Sequence, residues 1–113
     1  MEINEQNANL INKTKEKENK VCIVGTTTMK AVETAAITGN RVKVYSGWSN
    51  KFIFPHYNFD IADAMITNFH PPLSSMLMMV SAFGGYDLIM EAYKHAVEKE
   101  YKFLTYGDAM LII

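Results

Sequence analysis

The stretch at residues 63–84, DAMITNFHPPLSSMLMMVSAFG, predicts both a fold and the position of a candidate site. A strand-like alternating run ends at a polar corner, Thr-Asn-Phe-His at 67–70, and Pro71 and Pro72 follow. Residues 76–83 are almost all apolar, which predicts a buried helix. Polar groups held at a strand end, beside rigid prolines and a buried helix, are typical of a functional site.

Length, charge and cysteine content limit the class of protein. The 113 residues suffice for one modest domain. The net charge is -1 and the sequence has no cluster of basic residues, whereas a free-standing nucleic-acid binder usually carries one. Cys22, the single cysteine, excludes an internal disulfide, and its apolar neighbours predict a core position. No apolar run is long enough to span a membrane, and the polar N-terminus lacks a signal core, so we expect a cytoplasmic protein without membrane partners.

We divide the chain into a polar segment, 1–20, and an α/β segment, 21–113. The first is interpreted as a frayed lead-in or a surface helix over residues 8–18. The apolar run at 21–24 predicts a strand buried on both faces. Gly25, Thr26 and Thr27 then form a turn into a helix, where main-chain N–H groups suit an anion or a polar ligand. The threonine hydroxyls could either cap this helix or contact that ligand.

The rest of the chain alternates between strand and helix patterns, which predicts an α/β fold. Residues 38–40 end the first helix, and strands are expected at 42–45, 52–54, 61–69 and 109–113. Ser74 or Ser75 should cap the apolar helix, and Asp87 a further amphipathic helix that reaches residue 101. Trp48 is expected to cover a domain edge, with stacking on a planar ligand as the alternative.

One charged residue could be either structural or functional. Asp63 lies in an apolar strand, where its carboxylate must be hydrogen-bonded or functional, and both interpretations stay open. Glu33 is expected to be structural.

The histidines differ: His70 is favoured as a site residue, whereas His56 is expected in a solvated loop. Asp108 is a weaker site candidate.

Four segments carry a resemblance to a known family: GTTTMKAVE at 25–33, FIFP at 52–55, the stretch at 63–85, and YKHAVEKEYKFLTYGDAMLI at 93–112. Together they resemble the S-adenosylmethionine:tRNA ribosyltransferase-isomerase family of queuosine biosynthesis. Lys30 stands where arginine is frequent, and Pro71 where leucine is common. Family members are several times longer, so the resemblance implies the C-terminal portion of the larger α/β domain of the family.

The resemblance implies a reaction. Such enzymes transfer and isomerise the ribosyl moiety of S-adenosylmethionine onto 7-aminomethyl-7-deazaguanine at the tRNA wobble position, giving epoxyqueuosine. Adenine and methionine leave, and no metal is expected because the sulfonium carries its own leaving group. The alternative is an inactive structural fragment that self-associates through the apolar helix, and a third reading is a small nucleotide-binding module.

The resemblance also implies site residues. We expect Asp63 and His70 to lie close together, one as a base and the other as an acid or hydrogen-bond donor. The expected substrate-binding residues are Gly25, Thr26, Thr27, Lys30, Asn68, Phe69 and Ser74.

Overall fold

The computed structural model describes residues 1–49, 53, 57–72, 74–104 and 107–113, and it confirms the α/β class. The helices are α1 (Glu5–Glu16), α2 (Thr26–Ala35), α3 (Ser75–Gly84) and α4 (Tyr86–Glu98). The strands are β1 (Glu2–Ile3), β2 (Cys22–Val24), β3 (Ala36–Ile37), β4 (Arg41–Val42), β5 (Tyr45–Ser46), β6 (Ala64–Asn68) and β7 (Ala109–Ile112).

A three-stranded sheet of order β2-β6-β7 carries the fold. Strands β2 and β6 are parallel, and β7 is antiparallel to β6. Ile23, Met65 and Ile112 are register partners across the three strands, and all are buried. Buried residues of α2, α3 and α4 belong to the same core, so these helices cover one face of the sheet.

The opposite face of this sheet is exposed. Val24 pairs with Ile66, which pairs with Leu111, and the outer two side chains are 62% and 59% exposed. Cys22 is also exposed. The predictions of a strand buried on both faces and of a core Cys22 are therefore wrong. Side chains alternate between the two faces of a strand, and only the side occupied by Ile23 meets the core.

The polar N-terminal segment is an ordered helix, starting earlier than predicted. Asn4 caps α1 by accepting a hydrogen bond from the N–H of Asn7 at 2.8 Å. Asn12 binds the main chain of Val42 twice, at 3.0 and 2.8 Å. The helix is therefore tied to β4 rather than frayed.

The predicted strand at 42–45 is two short strands in different sheets. β4 pairs with β3, whereas β5 pairs with β1, so the chain changes partner after residue 42. Trp48 is 96% exposed and does not cover a domain edge in the described part of the chain. The strand predicted at 52–54, apart from buried Ile53, and His56 lie outside the described residues.

The two C-terminal helices meet at a pair of glycines. Ser74 caps α3, with its hydroxyl accepting the N–H of Leu77 at 3.1 Å, as the sequence predicts. α4 is preceded by Gly85, not by the expected cap Asp87, and it ends at Glu98. A side chain at Gly84 would meet Ile89 at 2.6 Å, so this glycine allows α3 and α4 to pack closely.

Candidate functional site

A cavity of about 540 Å³ opens where β2 and β6 end and β7 begins. Both parallel strands point their carboxyl ends at it, the position where open α/β sheets usually bind ligands. Its lining comprises Val24, Gly25, Thr26, Thr27, Ile66, Thr67, Asn68, His70, Met76, Leu104 and Ala109. The fold thus brings together five of the predicted site residues: Gly25, Thr26, Thr27, Asn68 and His70.

The turn after β2 forms one wall of this cavity. Gly25 has a φ of 92°, a conformation that favours glycine, and its N–H donates to the carbonyl of Ile66 at 2.8 Å. Helix α2 begins at Thr26 without a side-chain cap. The first intrahelical bond runs from the N–H of Met29 to the carbonyl of Gly25. The preceding N–H groups have no intrahelical acceptor, and they remain for a ligand.

His70 also lines the cavity, and it is held at two points. Its Nε2 atom lies 2.8 Å from Oγ1 of Thr67, and its main-chain N–H donates to the hydroxyl of Tyr93 at 2.9 Å. Burial lowers the pKa of His70 below 6.5, because the charged imidazolium would be poorly solvated there. The ring is therefore neutral at neutral pH and able to accept a proton.

The second ring nitrogen of His70 is available. Nδ1 has no hydrogen-bond partner among the described residues. In the same part of the chain, no buried side-chain nitrogen or oxygen lacks a partner. Nδ1 is therefore the ring nitrogen of His70 that is left without a partner in this part of the chain.

Phe69 faces away from the cavity. It is buried and contacts Tyr93, Tyr101 and Phe103, with ring centroids 5.2, 5.9 and 5.3 Å from its own. Because Tyr93 also binds His70, this aromatic cluster supports the corner from behind. Phe69 is thus placed as a support for the site and not as part of its lining.

Asp63 lies at the other end of β6 from His70. Its carboxylate is 3.2 Å from Nζ of Lys15 and accepts the N–H of Val21 at 2.9 Å. Burial raises the pKa of Asp63, but these contacts outweigh burial and place it below 3.8. The expectation that Asp63 and His70 lie close together is wrong, because the five residues of β6 (Ala64–Asn68) separate them.

Lys30 and Ser74 lie near the cavity but outside its lining. Lys30 lines a smaller cavity of about 190 Å³ that shares Thr26, Thr27 and Met76 with the main one. Ser74 caps α3 and borders an apolar groove between α3 and α4. Lys30 therefore extends the site along α2, whereas Ser74 positions a helix.

Two acidic residues are engaged by main-chain groups. Glu33 is buried and accepts the N–H groups of Asp60 and Ile61 at 2.8 and 3.0 Å, as expected for a structural role. Asp108 accepts the N–H of Lys102 at 2.6 Å, while its carbonyl accepts the side chain of Asn68 at 3.3 Å. Asp108 therefore shapes the rim of the cavity through its backbone.

Six lining residues were not predicted from the sequence: Val24, Ile66, Thr67, Met76, Leu104 and Ala109. Thr67 stands inside the polar corner, and its spacing of three residues from His70 was the available signal. Met76 resembles any core methionine in the sequence. Leu104 has a φ of 70° and reaches the cavity from the segment after α4, which no sequence pattern indicated.

The described ranges contain no group of three or more His, Cys, Asp or Glu side chains arranged to hold a metal ion. Nor does any helix there have the length and apolar character needed to cross a membrane.

Comparison with known proteins gives related sequences along the whole chain. The chain is 52% identical over 113 residues to the S-adenosylmethionine:tRNA ribosyltransferase-isomerase of Parabacteroides distasonis, covering 100% of this chain and 32% of that protein. The corresponding enzyme of Halothermothrix orenii is 49% identical over 112 residues, which is 99% of this chain and 33% of that protein. The chain thus spans about a third of the length of these curated relatives.

A solved structure of a protein with a similar name is also similar to this chain. The S-adenosylmethionine tRNA ribosyltransferase of Thermotoga maritima superposes with a TM-score of 0.92 at 41% identity, covering 99% of this chain and 39% of that one. The family model described as queuosine biosynthesis protein matches residues 1–112. Since that match takes in nearly every residue, the chain belongs to the queuosine biosynthesis protein family.

Proposed function

We propose that this chain forms the S-adenosylmethionine site of a tRNA ribosyltransferase-isomerase. The supporting observation is that a buried, neutral His70 and the uncapped start of α2 line one cavity. In the proposed reaction, the ribosyl moiety of S-adenosylmethionine passes to the aminomethyl group of a 7-deazaguanine at the tRNA wobble position. Epoxyqueuosine forms, and adenine and methionine leave.

The lining residues suit the parts of S-adenosylmethionine. The free N–H groups at the start of α2 favour a carboxylate, and Lys30 adds a positive charge one turn further on. Val24, Ile66 and Leu104 supply apolar surface for a planar purine. We therefore assign the amino-acid end of the donor to α2 and the adenine to the apolar wall.

His70 is the proposed base. A C–H group beside a sulfonium is acidic, because the positive sulfur stabilises the carbanion that remains. In the assigned step this C–H bond breaks, its electron pair stays on carbon, and the proton moves to Nδ1 of His70. The imidazolium then formed can return that proton to the departing adenine, so the ring gains and loses one proton overall.

The tRNA contacts are proposed to lie elsewhere in the full-length enzyme. The chain has a net charge of -1 with 11 Lys and Arg residues, whereas binding a phosphate backbone needs a basic surface. Because relatives are about three times as long, their remaining residues are the proposed source of that surface. Within this chain, Asn68 at the cavity rim is the proposed contact for the flipped base.

The second candidate is a structural fragment without activity that self-associates. The exposed, in-register side chains of Val24 and Leu111 favour it, because sheets with parallel strands are normally covered on both faces. The helix first expected to mediate association, α3, is partly covered: Met79 and Val80 are buried, while Met76 and Met78 are partly exposed. The sheet face is therefore the better self-association surface.

Calorimetric titration with S-adenosylmethionine separates these candidates. A donor site predicts micromolar binding, about 8 kcal/mol, and about tenfold weaker binding by Lys30→Gln. Lys43→Gln is the matched control, since Lys43 is exposed and lines no cavity described above. A folded chain that releases no binding heat, and whose mass in solution is that of a dimer, would reject the donor site and favour the fragment.

A further inference from the structure

We propose that Thr67 is a positioning residue that fixes the tautomer of His70, with the proton on Nε2 and a bare Nδ1. The inference deepens the proposed function, since it rests on His70 as its base and explains which ring nitrogen would act.

The hydroxyl of Thr67 determines the direction of the hydrogen bond to His70. Oγ1 of Thr67 lies 2.8 Å from Nε2 of His70 and 3.2 Å from the carbonyl oxygen of Asn68. A hydroxyl has one proton to donate, and a carbonyl can only accept. If the Thr67 hydroxyl donates to Asn68, it must accept from His70, so Nε2 carries the proton.

The side chains of Thr67 and His70 are both buried. Thr67 is 3% exposed and His70 is 9% exposed, so water offers little competition for these bonds. An unpaired polar atom at such a position costs free energy, which makes the complete chain of bonds favourable. In this series of hydrogen bonds, Nε2–H of His70 donates to Oγ1 of Thr67, and the Thr67 hydroxyl donates to the carbonyl of Asn68.

The imidazole ring of His70 is held in one orientation. Tyr93 accepts the main-chain N–H of His70 at 2.9 Å, and Thr67 holds the far edge of the imidazole. These two contacts fix the backbone and the ring independently. Because Nε2 and the main-chain N–H of His70 are both engaged, Nδ1 is the ring nitrogen left for a substrate proton.

Nuclear magnetic resonance of isotope-labelled histidine tests this without substrate. The signals of the three histidines are assigned with a His70→Gln variant, and the tautomer is determined near neutral pH. The wild-type chain and Thr67→Ser, which retains the hydroxyl, should both carry the His70 proton on Nε2. Thr67→Val, similar in shape but without the hydroxyl, should change the tautomer ratio by about fivefold.

Two results would overturn the proposal. One is a His70 proton on Nδ1 in the wild-type chain, which does not depend on any change at Thr67. The other is an unchanged tautomer ratio in a folded Thr67→Val. Because neither measurement involves S-adenosylmethionine, a failed calorimetric titration would reject the donor site while leaving the tautomer result intact.

Discussion

The N–H of Gly25 donates to the carbonyl oxygen of Ile66 at 2.8 Å, joining the turn after β2 to the middle of β6. Gly25 follows β2 and Ile66 lies in β6, and both residues line the main cavity. The bond therefore holds two walls of the candidate site at a fixed spacing. The site depends on the local conformation of one glycine.

Gly25→Ala should weaken both folding and ligand binding. Gly25 has a φ of 92° and no neighbouring atom within 4 Å of an added Cβ, so the cost is backbone strain, about 1–2 kcal/mol. Gly39→Ala is a matched control with a φ of 88° and equally open surroundings. Thermal denaturation should show similar losses, whereas calorimetry should show weaker S-adenosylmethionine binding only for Gly25→Ala. Equal affinities would place the ligand elsewhere.

Glu33→Gln should destabilise the chain by about 2–4 kcal/mol. Its carboxylate accepts main-chain N–H groups of Asp60, Ile61 and Ala62, and an amide has only one oxygen to offer them. Denaturant unfolding measures the loss. Glu91→Gln, the same change at an exposed helical position, should have little effect, and comparable losses in the two variants would contradict the structural role of Glu33.

Asp63→Asn should lower stability at neutral pH by about 1 kcal/mol without affecting ligand binding. The pKa of Asp63 is lowered in the folded chain, so its contribution is complete above 3.8 and is lost as the pH falls through the folded value. Unfolding curves of wild type and variant should therefore converge in acid. The exposed pair of Glu16 and Arg41 provides a control in Glu16→Gln, which should cost less.

A difference in the free energy of unfolding between wild type and Asp63→Asn that persists below the folded pKa would show that Asp63 stabilises the chain by something other than its charge. Weaker S-adenosylmethionine binding by Asp63→Asn would contradict the separation of Asp63 from the site.

Leu104→Gly should preserve or raise stability while weakening ligand binding severalfold. A non-glycine residue with a φ of 70° is strained by about 1 kcal/mol or more, and glycine relieves this backbone strain. The same change removes apolar surface from the cavity wall. Glu100→Gly is the control, because Glu100 has a φ of 58° and does not line the cavity. Unchanged affinity in Leu104→Gly would remove Leu104 from the proposed adenine contact.

Much of the fold follows from local patterns. The strands near 22–24, 64–68 and 109–112 and the helices at 75–84 and 86–98 follow from apolar periodicity and from turn residues, which act within a few positions. The exposure of Cys22 and Val24 does not follow, because an apolar strand has the same sequence whether or not a partner covers it. Pairing between distant segments, as of β5 with β1, likewise does not follow from the local sequence.

The site was predictable in part. The corner at 67–70 and the turn at 25–27 end two parallel strands, and parallel strands end at the same edge of a sheet. The separation of Asp63 from His70 could have been anticipated, since a strand advances about 3.3 Å per residue. The link between Thr67 and His70 depends on how the chain bends after β6, which tertiary contacts with Tyr93 determine.

The most direct test of the donor-site proposal is to map amide resonances of the labelled chain during addition of S-adenosylmethionine. A donor site in the main cavity predicts shifts concentrated at residues 25–28, at Asn68 and His70, and at Ala109, with little change along the α3–α4 groove. Shifts centred on that groove, or none at saturating ligand in a folded chain, would contradict it.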